Sequence, residues 1–168
     1  MSDIHTEIEI DAPAETVWSV LTDFGAYPEW NPYTRIEGEA AVGERPRVSP
    51  GPEVGRAPTF RPRVLVADGR ELRWLGHLFT PGLFDGEHSF VIEELDEGRS
   101  KFTQSEEFSG LLVRPIMRFV GEDTESNFRG VNEALAARAE SLAGGDASAV
   151  DADVGDANPN SDDAHVTA

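Results

Sequence analysis

The sequence contains no cysteine, and Lys101 is the only lysine among its 14 basic residues. Without cysteine, disulfide bonds and thiolate chemistry are excluded. The sequence also lacks any run of about 18 apolar residues, the length that a membrane-spanning helix needs. The sequence has no positively charged segment followed by an apolar one, which is the pattern of a signal peptide. We therefore expect a cytoplasmic protein with no stable membrane insertion.

Basic residues are scarce compared with acidic ones. The chain has 32 Asp and Glu residues against 14 Lys and Arg, and its formal charge is -18. Nucleic acids and anionic lipid surfaces bind clustered Lys and Arg, so this charge disfavours both partners. Acid excess with so little lysine indicates a salt-rich cytosol, as in halophilic archaea, where screening shortens the range of carboxylate repulsion. An acidic protein of an ordinary cytosol is the alternative.

Common catalytic and metal-binding motifs are also missing. The histidines at positions 5, 77, 88 and 165 are scattered and form no cluster with zinc-ligand spacing. There is no phosphate-binding glycine loop and no Gly-x-Ser-x-Gly nucleophile motif. We expect neither a metal nor a cofactor.

The N-terminal segment predicts a short strand followed by two short helices. Ile8 and Ile10 alternate as in a strand, and Asp11-Ala12-Pro13 is a helix-start signal with Asp11 as the candidate N-cap. The next helix has an apolar face formed by Val17, Trp18, Val20 and Leu21. Residues 23–25 end it, and a second short helical segment carries Tyr27 and Trp30.

The rest of the chain predicts an antiparallel sheet and one long helix. Alternating apolar residues and turn signals predict strands at 33–41, 44–48, 60–67, 71–79, 87–95 and 99–108, with a Pro- and Gly-rich loop at 49–58. A helix is predicted at 112–142, with an apolar stripe of Ile116, Phe119, Val120, Phe128, Val131, Leu135 and Leu142. Residues 144–168 are acidic and lack aromatics, which predicts a disordered tail after a domain at 1–143.

Three blocks of the sequence resemble the START-like (SRPBCC) superfamily, which includes polyketide cyclase/dehydrase-like and lipid-transfer proteins. They are residues 10–33, with Ile10-Asp11-Ala12-Pro13 and Val17-Trp18, residues 82–90 and residues 102–110. The resemblance implies an α+β helix-grip fold, in which a curved antiparallel sheet wraps around a long C-terminal helix and two short helices follow the first strand. It also implies a hydrophobic ligand in a cavity between sheet and helix.

Strand alternation places a polar pair on the inner face of the hairpin at 87–108. Phe102, Gln104 and Glu106 share one face of their strand, and His88 shares a face with Phe90. If the turn pairs residues 92 and 102, His88 lies opposite Glu106. Cross-strand neighbours lie about 5 Å apart. This pair is a polar contact for a ligand, an acid-base pair or a structural hydrogen-bonded pair.

We therefore predict a domain, acting as a monomer, that binds a hydrophobic or amphipathic small molecule such as a lipid or polyketide. The predicted ligand contacts are Tyr27, Trp30, Val64, Trp74, Gly76, Phe84, His88, Phe90, Phe102, Gln104, Glu106, Phe119, Val120 and Phe128. A cyclase or dehydratase using His88 and Glu106 is the first alternative, and a chaperone-like partner-binding module is the second. Polar groups that converge beside open apolar space favour catalysis, whereas a filled interior with an exposed apolar groove favours partner binding.

Overall fold

The described part of the chain, residues 2–152 of a computed structural model, contains seven strands and three α-helices; burial is described for residues 3–145. The strands are β1 (Ser2–Ile10), β2 (Thr34–Glu37), β3 (Arg47–Pro50), β4 (Arg63–Ala67), β5 (Glu71–Leu78), β6 (Phe84–Asp96) and β7 (Arg99–Ser109). The helices are α1 (Ala14–Thr22), α2 (Tyr27–Trp30), which follows a 3₁₀ turn at Phe24–Ala26, and α3 (Val113–Ala152).

The strands form two antiparallel sheets. The larger has the order β1-β7-β6-β5-β4, and β2 and β3 form a separate pair. The long helix α3 packs against β1 and β7 of the larger sheet and against α1. This antiparallel sheet with a long C-terminal helix and two short early helices confirms the predicted α+β helix-grip architecture.

Several strand boundaries differ from the predicted ones. The segment predicted as a strand at 33–41 is a strand only over Thr34–Glu37, and the one predicted at 44–48 is a strand at Arg47–Pro50; the two strands pair with each other. Phe84, which falls between the strands predicted at 71–79 and 87–95, lies in β6, where it pairs with Leu78 at the end of β5. The reason is that the β5–β6 ladder continues without interruption to the last residue of β5.

The start of α1 also differs from the prediction. Pro13, not Asp11, occupies the N-cap position, and no side chain caps this helix. The carbonyl of Pro13 accepts hydrogen bonds from the backbone N–H groups of Thr16 and Val17. The N–H of Asp11 instead donates to Oε1 of Glu140 at 3.0 Å. Asp11 therefore connects the end of β1 to α3.

The helix α3 continues past the predicted domain boundary at residue 143, through Ala152. The segment after residue 143 has few large apolar residues to bury, but its alanines at 147, 149 and 152 favour local helix formation. The domain boundary at 143 and the disordered tail at 144–168 stay predictions, although α3 reaches Ala152. Residues 153–168 lie outside the described residues.

Two apolar clusters form the interior. The larger joins α1, the sheet and the C-terminal half of α3, and includes the fully buried Leu21, Leu72, Phe102 and Leu135. The smaller consists of Ile4, Phe108 and Val113, with Phe84, Met117 and Phe128 packed against it. Burial of each large side chain contributes roughly 1.5–3 kcal/mol to folding. Because members of both clusters face a common space, the interior is not filled between them.

The junction between β7 and α3 depends on Gly110. This residue has a φ of 121°, and a Cβ there would lie 2.5 Å from the carbonyl oxygen of Leu83. The next two N–H groups, of Leu111 and Leu112, donate to the carbonyls of Gly82 and Leu83 at 3.2 and 2.8 Å. The beginning of α3 is thereby attached to the β5–β6 turn, beside one end of the unfilled space.

Candidate functional site

A cavity of about 410 Å³ lies between the larger sheet, the β2–β3 pair and α3. Its wall is mainly apolar, and its volume is within the range of small-molecule sites. The sheet contributes residues from β5, β6 and β7, and α3 contributes one face from Ile116 to Leu135. The helix and the sheet therefore enclose a space that is large enough for a ligand.

Most of the predicted ligand contacts line this cavity. Eleven of the fourteen lie in its wall: Tyr27, Trp30, Trp74, Gly76, Phe84, His88, Phe90, Gln104, Glu106, Val120 and Phe128. Their contact with a ligand remains a prediction, but the structure brings all of them around one space.

Three of the predicted contacts lie elsewhere. Phe102 and Val64 are 0% and 1% exposed and belong to the larger apolar cluster, where neighbouring side chains separate them from the cavity. Phe119 is 82% exposed. The cavity-lining face of α3 carries Ile116, Met117 and Val120, so Phe119 projects from another side of the helix. The structure therefore places these three residues outside the cavity wall.

The hairpin β6–β7 has the register expected from the sequence. His88 is opposite Glu106, and Phe90 is opposite Gln104. The amide nitrogen of Gln104 lies 2.9 Å from Nε2 of His88, and Nδ1 of His88 lies 3.7 Å from Oε2 of Glu106. Because an amide nitrogen only donates, Nε2 is the acceptor and the neutral ring carries its proton on Nδ1. That proton faces Glu106.

Aromatic rings fix the imidazole of His88 in place. The ring stacks on Phe90 at a centroid distance of 4.2 Å and on Phe128 of α3 at 4.8 Å. Trp74 approaches edge-on at 5.7 Å. With one nitrogen occupied by Gln104 and neighbouring rings around it, His88 has little rotational freedom.

Burial makes the His88–Glu106 pair uncharged near pH 7. It lowers the pKa of His88 to about 3 and raises the pKa of Glu106 to about 8. The 3.7 Å separation is within ion-pair range, but desolvation disfavours a charge on either partner. Glu106 is then a neutral carboxylic acid, which has an O–H to donate as well as oxygens that accept.

The place of Glu106 depends on Gly86, which the sequence reasoning did not single out. A Cβ on Gly86 would lie 2.5 Å from Oε1 of Glu106. Gly86 also pairs with Gly76, so two residues without side chains are adjacent in the sheet. The spacing of Gly86 two residues before His88, on the same strand face, was the available signal.

Other lining residues were also missed from the sequence. Asn31, Arg56, Met117, Thr124 and Asn127 all line the cavity. Arg56 lies in the loop that was expected at 49–58, a segment whose Pro- and Gly-rich pattern also suggested a rim over the cavity mouth, but the pattern did not single out this side chain. Loops have no regular repeat from which a side-chain direction follows.

Within residues 2–152, no group of three or more His, Asp or Glu residues is arranged to hold a metal ion. Nor does any helix described there have the length and apolar character needed to cross a membrane.

Residues 1–140 match the family model described as polyketide cyclase / dehydrase and lipid transport. No curated protein matches the sequence.

Several solved structures share the fold. The Zhui aromatase/cyclase from Streptomyces sp. R1128 is 19% identical, with a TM-score of 0.68 over 83% of this chain and 93% of that one. A START superfamily protein from Mycobacterium smegmatis is 22% identical, with a TM-score of 0.60 over 83% of this chain and 98% of that one. The di-domain aromatase/cyclase BexL is 17% identical with a TM-score of 0.67; the match covers 83% of this chain but 47% of BexL. At these identities the likeness concerns the fold alone.

Proposed function

The chain belongs to the polyketide cyclase / dehydrase and lipid transport family, and we propose that it binds a hydrophobic or amphipathic small molecule between the sheet and α3. The observation that carries this proposal is the composition of the cavity wall. It is apolar apart from a few polar groups, and three of these, His88, Gln104 and Glu106, are adjacent on the hairpin. Pockets of this kind bind apolar molecules and orient them through a few polar contacts.

Glu106 is the group that orients the ligand. As a neutral acid it donates a hydrogen bond to a carbonyl or hydroxyl oxygen. His88 and Gln104 act behind it as positioning residues, because their hydrogen-bonding groups face each other and Glu106. The ligand that fits this arrangement has an oxygen function on an otherwise apolar body, as lipids and polyketides do.

The binding proposal is tested by native mass spectrometry of the full chain purified from its own host, which should retain a small molecule. In Met117→Trp the larger side chain fills part of the cavity, and we expect the bound fraction to fall. The matched control is Phe119→Trp, since Phe119 lies two positions along the same helix but outside the cavity. Absence of any bound molecule in the wild type, or equal loss in both variants, would contradict the proposal.

The second candidate function is a reaction of the cyclase or dehydratase kind. The observation that favours it is the raised pKa of Glu106, since a buried acid poised near neutral pH is suited to general acid catalysis. The carboxylic acid would donate a hydrogen bond to a carbonyl oxygen of the substrate and so polarise this carbonyl toward nucleophilic addition. The convergence of polar groups beside open apolar space agrees with this role.

The test is to incubate the protein with a linear poly-β-carbonyl compound and to follow cyclised or dehydrated products by liquid chromatography and mass spectrometry. Glu106→Gln should lower the rate by about 10²- to 10⁴-fold, as removal of a general acid does. Glu107→Gln, which changes the exposed neighbour, should not. If the wild type forms no product faster than buffer alone does, this second candidate function is wrong.

Partner binding without a ligand has less support. That function requires a filled interior with an exposed groove, and the cavity of about 410 Å³ leaves the interior open.

A further inference from the structure

Three stretches of the sequence contain none of the 32 acidic residues: 54–67, 72–84 and 108–121. All three contribute to the cavity wall. Five lining residues are also exposed to solvent, and these mark the mouth of the cavity: Arg56, Ala57, Pro58, His77 and Val120. Each of the five falls in one of the three stretches. None of these five residues is acidic in a chain whose net charge is -18, and the carboxylate of Asp85 beside them is bound to Nδ1 of His77 at 2.7 Å.

Arg56 is the single Arg or Lys among the described residues that line the cavity. Several other arginines are paired with carboxylates, for example Arg47 with Glu37 at 3.5 Å and Arg138 with Glu29 at 2.7 Å. Within residues 2–152, Arg56 has no carboxylate partner and no side-chain hydrogen bond. Its guanidinium has its donors available at the opening of an apolar cavity.

We propose that the ligand carries an anionic head group, a carboxylate or a phosphate, which Arg56 binds at the mouth while the apolar part occupies the cavity. This inference rests on the binding function proposed above and specifies its ligand. A guanidinium forms two parallel hydrogen bonds to a carboxylate or phosphate, and the interaction is charge-assisted.

The polarity of the cavity determines the orientation of such a ligand. Burying an anion beside the neutral His88–Glu106 pair costs free energy, because no cation there compensates the lost hydration. The head group therefore stays at the mouth. The apolar chain extends inward, and an oxygen function along it accepts a hydrogen bond from Glu106.

The negative net charge of the protein makes a preference for an anionic ligand over a neutral one a discriminating test of this proposal. A chain with a charge of -18 repels anions in general, so its net charge alone predicts weaker binding of an anion than of a neutral analogue. A preference for the anion must come from the local arrangement at the mouth.

The experiment compares decanoate, decyl phosphate and decan-1-ol, each of which has a chain of ten carbon atoms. Binding to the full-length wild type is measured at low ionic strength by the fluorescence of Trp30 and Trp74, which both line the cavity. We expect at least one of the anions to bind about fivefold or more tightly than the alcohol, as an exposed ion pair allows. The preferred anion identifies the head group.

Arg56→Gln should remove this preference by lowering the affinity for the preferred anion to about that for decan-1-ol. The matched control is Arg45→Gln, because Arg45 is also exposed and unpaired in the described residues but lies outside the cavity wall. Equal affinities of anions and alcohol in the wild type, or equal effects of both substitutions, would overturn the inference while the binding function stands. If none of the three compounds binds, the proposed function itself fails.

Discussion

Replacement of Glu106 by Gln should stabilise the protein increasingly as the pH rises. Glutamine has nearly the shape of the neutral carboxylic acid but cannot ionise. Burial raises the pKa of Glu106 to about 8 from its ordinary value of 4.5. Between these values the unfolded chain releases the proton and the folded protein keeps it, so wild-type stability falls with increasing pH.

The magnitude follows from the pKa difference. Each pH unit in this interval changes the free energy of unfolding by 1.36 kcal/mol per group, so three units, from pH 5 to pH 8, give about 4 kcal/mol. Above pH 8 the folded protein also ionises and the effect levels off. The lowered pKa of His88 acts in the opposite direction between about pH 3 and 6.5, and it is common to both proteins. The difference between variant and wild type therefore reports on Glu106.

The assay is urea unfolding followed by tryptophan fluorescence, at constant KCl, at intervals from pH 5 to pH 9. Glu107→Gln is the control, since it removes the same charge from an exposed side chain on the opposite face of β7. If His88 and Glu106 were an ion pair, the Gln variant would leave a buried imidazolium without its partner. A variant that is less stable throughout, or whose advantage does not grow with pH, would refute the neutral pair.

Other outcomes follow from the glycines and from the charge. Gly86→Ala should weaken binding of decan-1-ol severalfold, measured by fluorescence, because the added Cβ would lie 2.5 Å from Oε1 of Glu106 in the cavity. Gly98→Ala is the control, because its Cβ would meet nothing within 4 Å. Equal effects of the two substitutions would contradict this prediction. Gly130→Ala should lower the free energy of unfolding by about 1–3 kcal/mol, because its Cβ would overlap the ring of Tyr33. Gly121→Ala, whose Cβ would make only an ordinary contact on the same helix, should raise the free energy of unfolding by up to about 1 kcal/mol. A Gly130 variant as stable as the wild type would contradict the predicted overlap with Tyr33. The melting temperature should rise from low to molar KCl as salt screens the acidic surface, and an unchanged value would argue against a salt-adapted protein.

Sequence reasoning succeeded where one periodicity determined the result. The register that places His88 opposite Glu106 followed from alternation along two strands and one short turn, and the structure has that register. The same reasoning separated Phe102, Gln104 and Glu106 from the outward-facing residues between them. Alternation indicates which face a residue occupies, but not how far along that face the cavity extends. For this reason Phe102 was expected beside the ligand and lies in the solid core instead.

The helix and the loop were predicted less well, for different reasons. The apolar stripe assigned to α3 was too wide, since it included Phe119, which is largely exposed. Position along a helix gives an angle, but the boundary between core, cavity and solvent depends on the distance between helix and sheet. Arg56 illustrates the limit for loops, because its place at the mouth results from the packing of segments distant in sequence.

The pairing of β1 with β7 has a consequence for how the chain folds during synthesis. Ser2 is opposite Phe108, and Ile10 is opposite Ser100, so the first described strand pairs with the last described strand. Until residue 109 has left the ribosome, β1 lacks its ladder partner, while the β6–β7 hairpin can form locally. Contacts of such long sequence separation slow folding. Before it pairs with β7, one face of β1 carries the polar side chains of His5, Glu7 and Glu9. These side chains disfavour pairing of β1 with other chains.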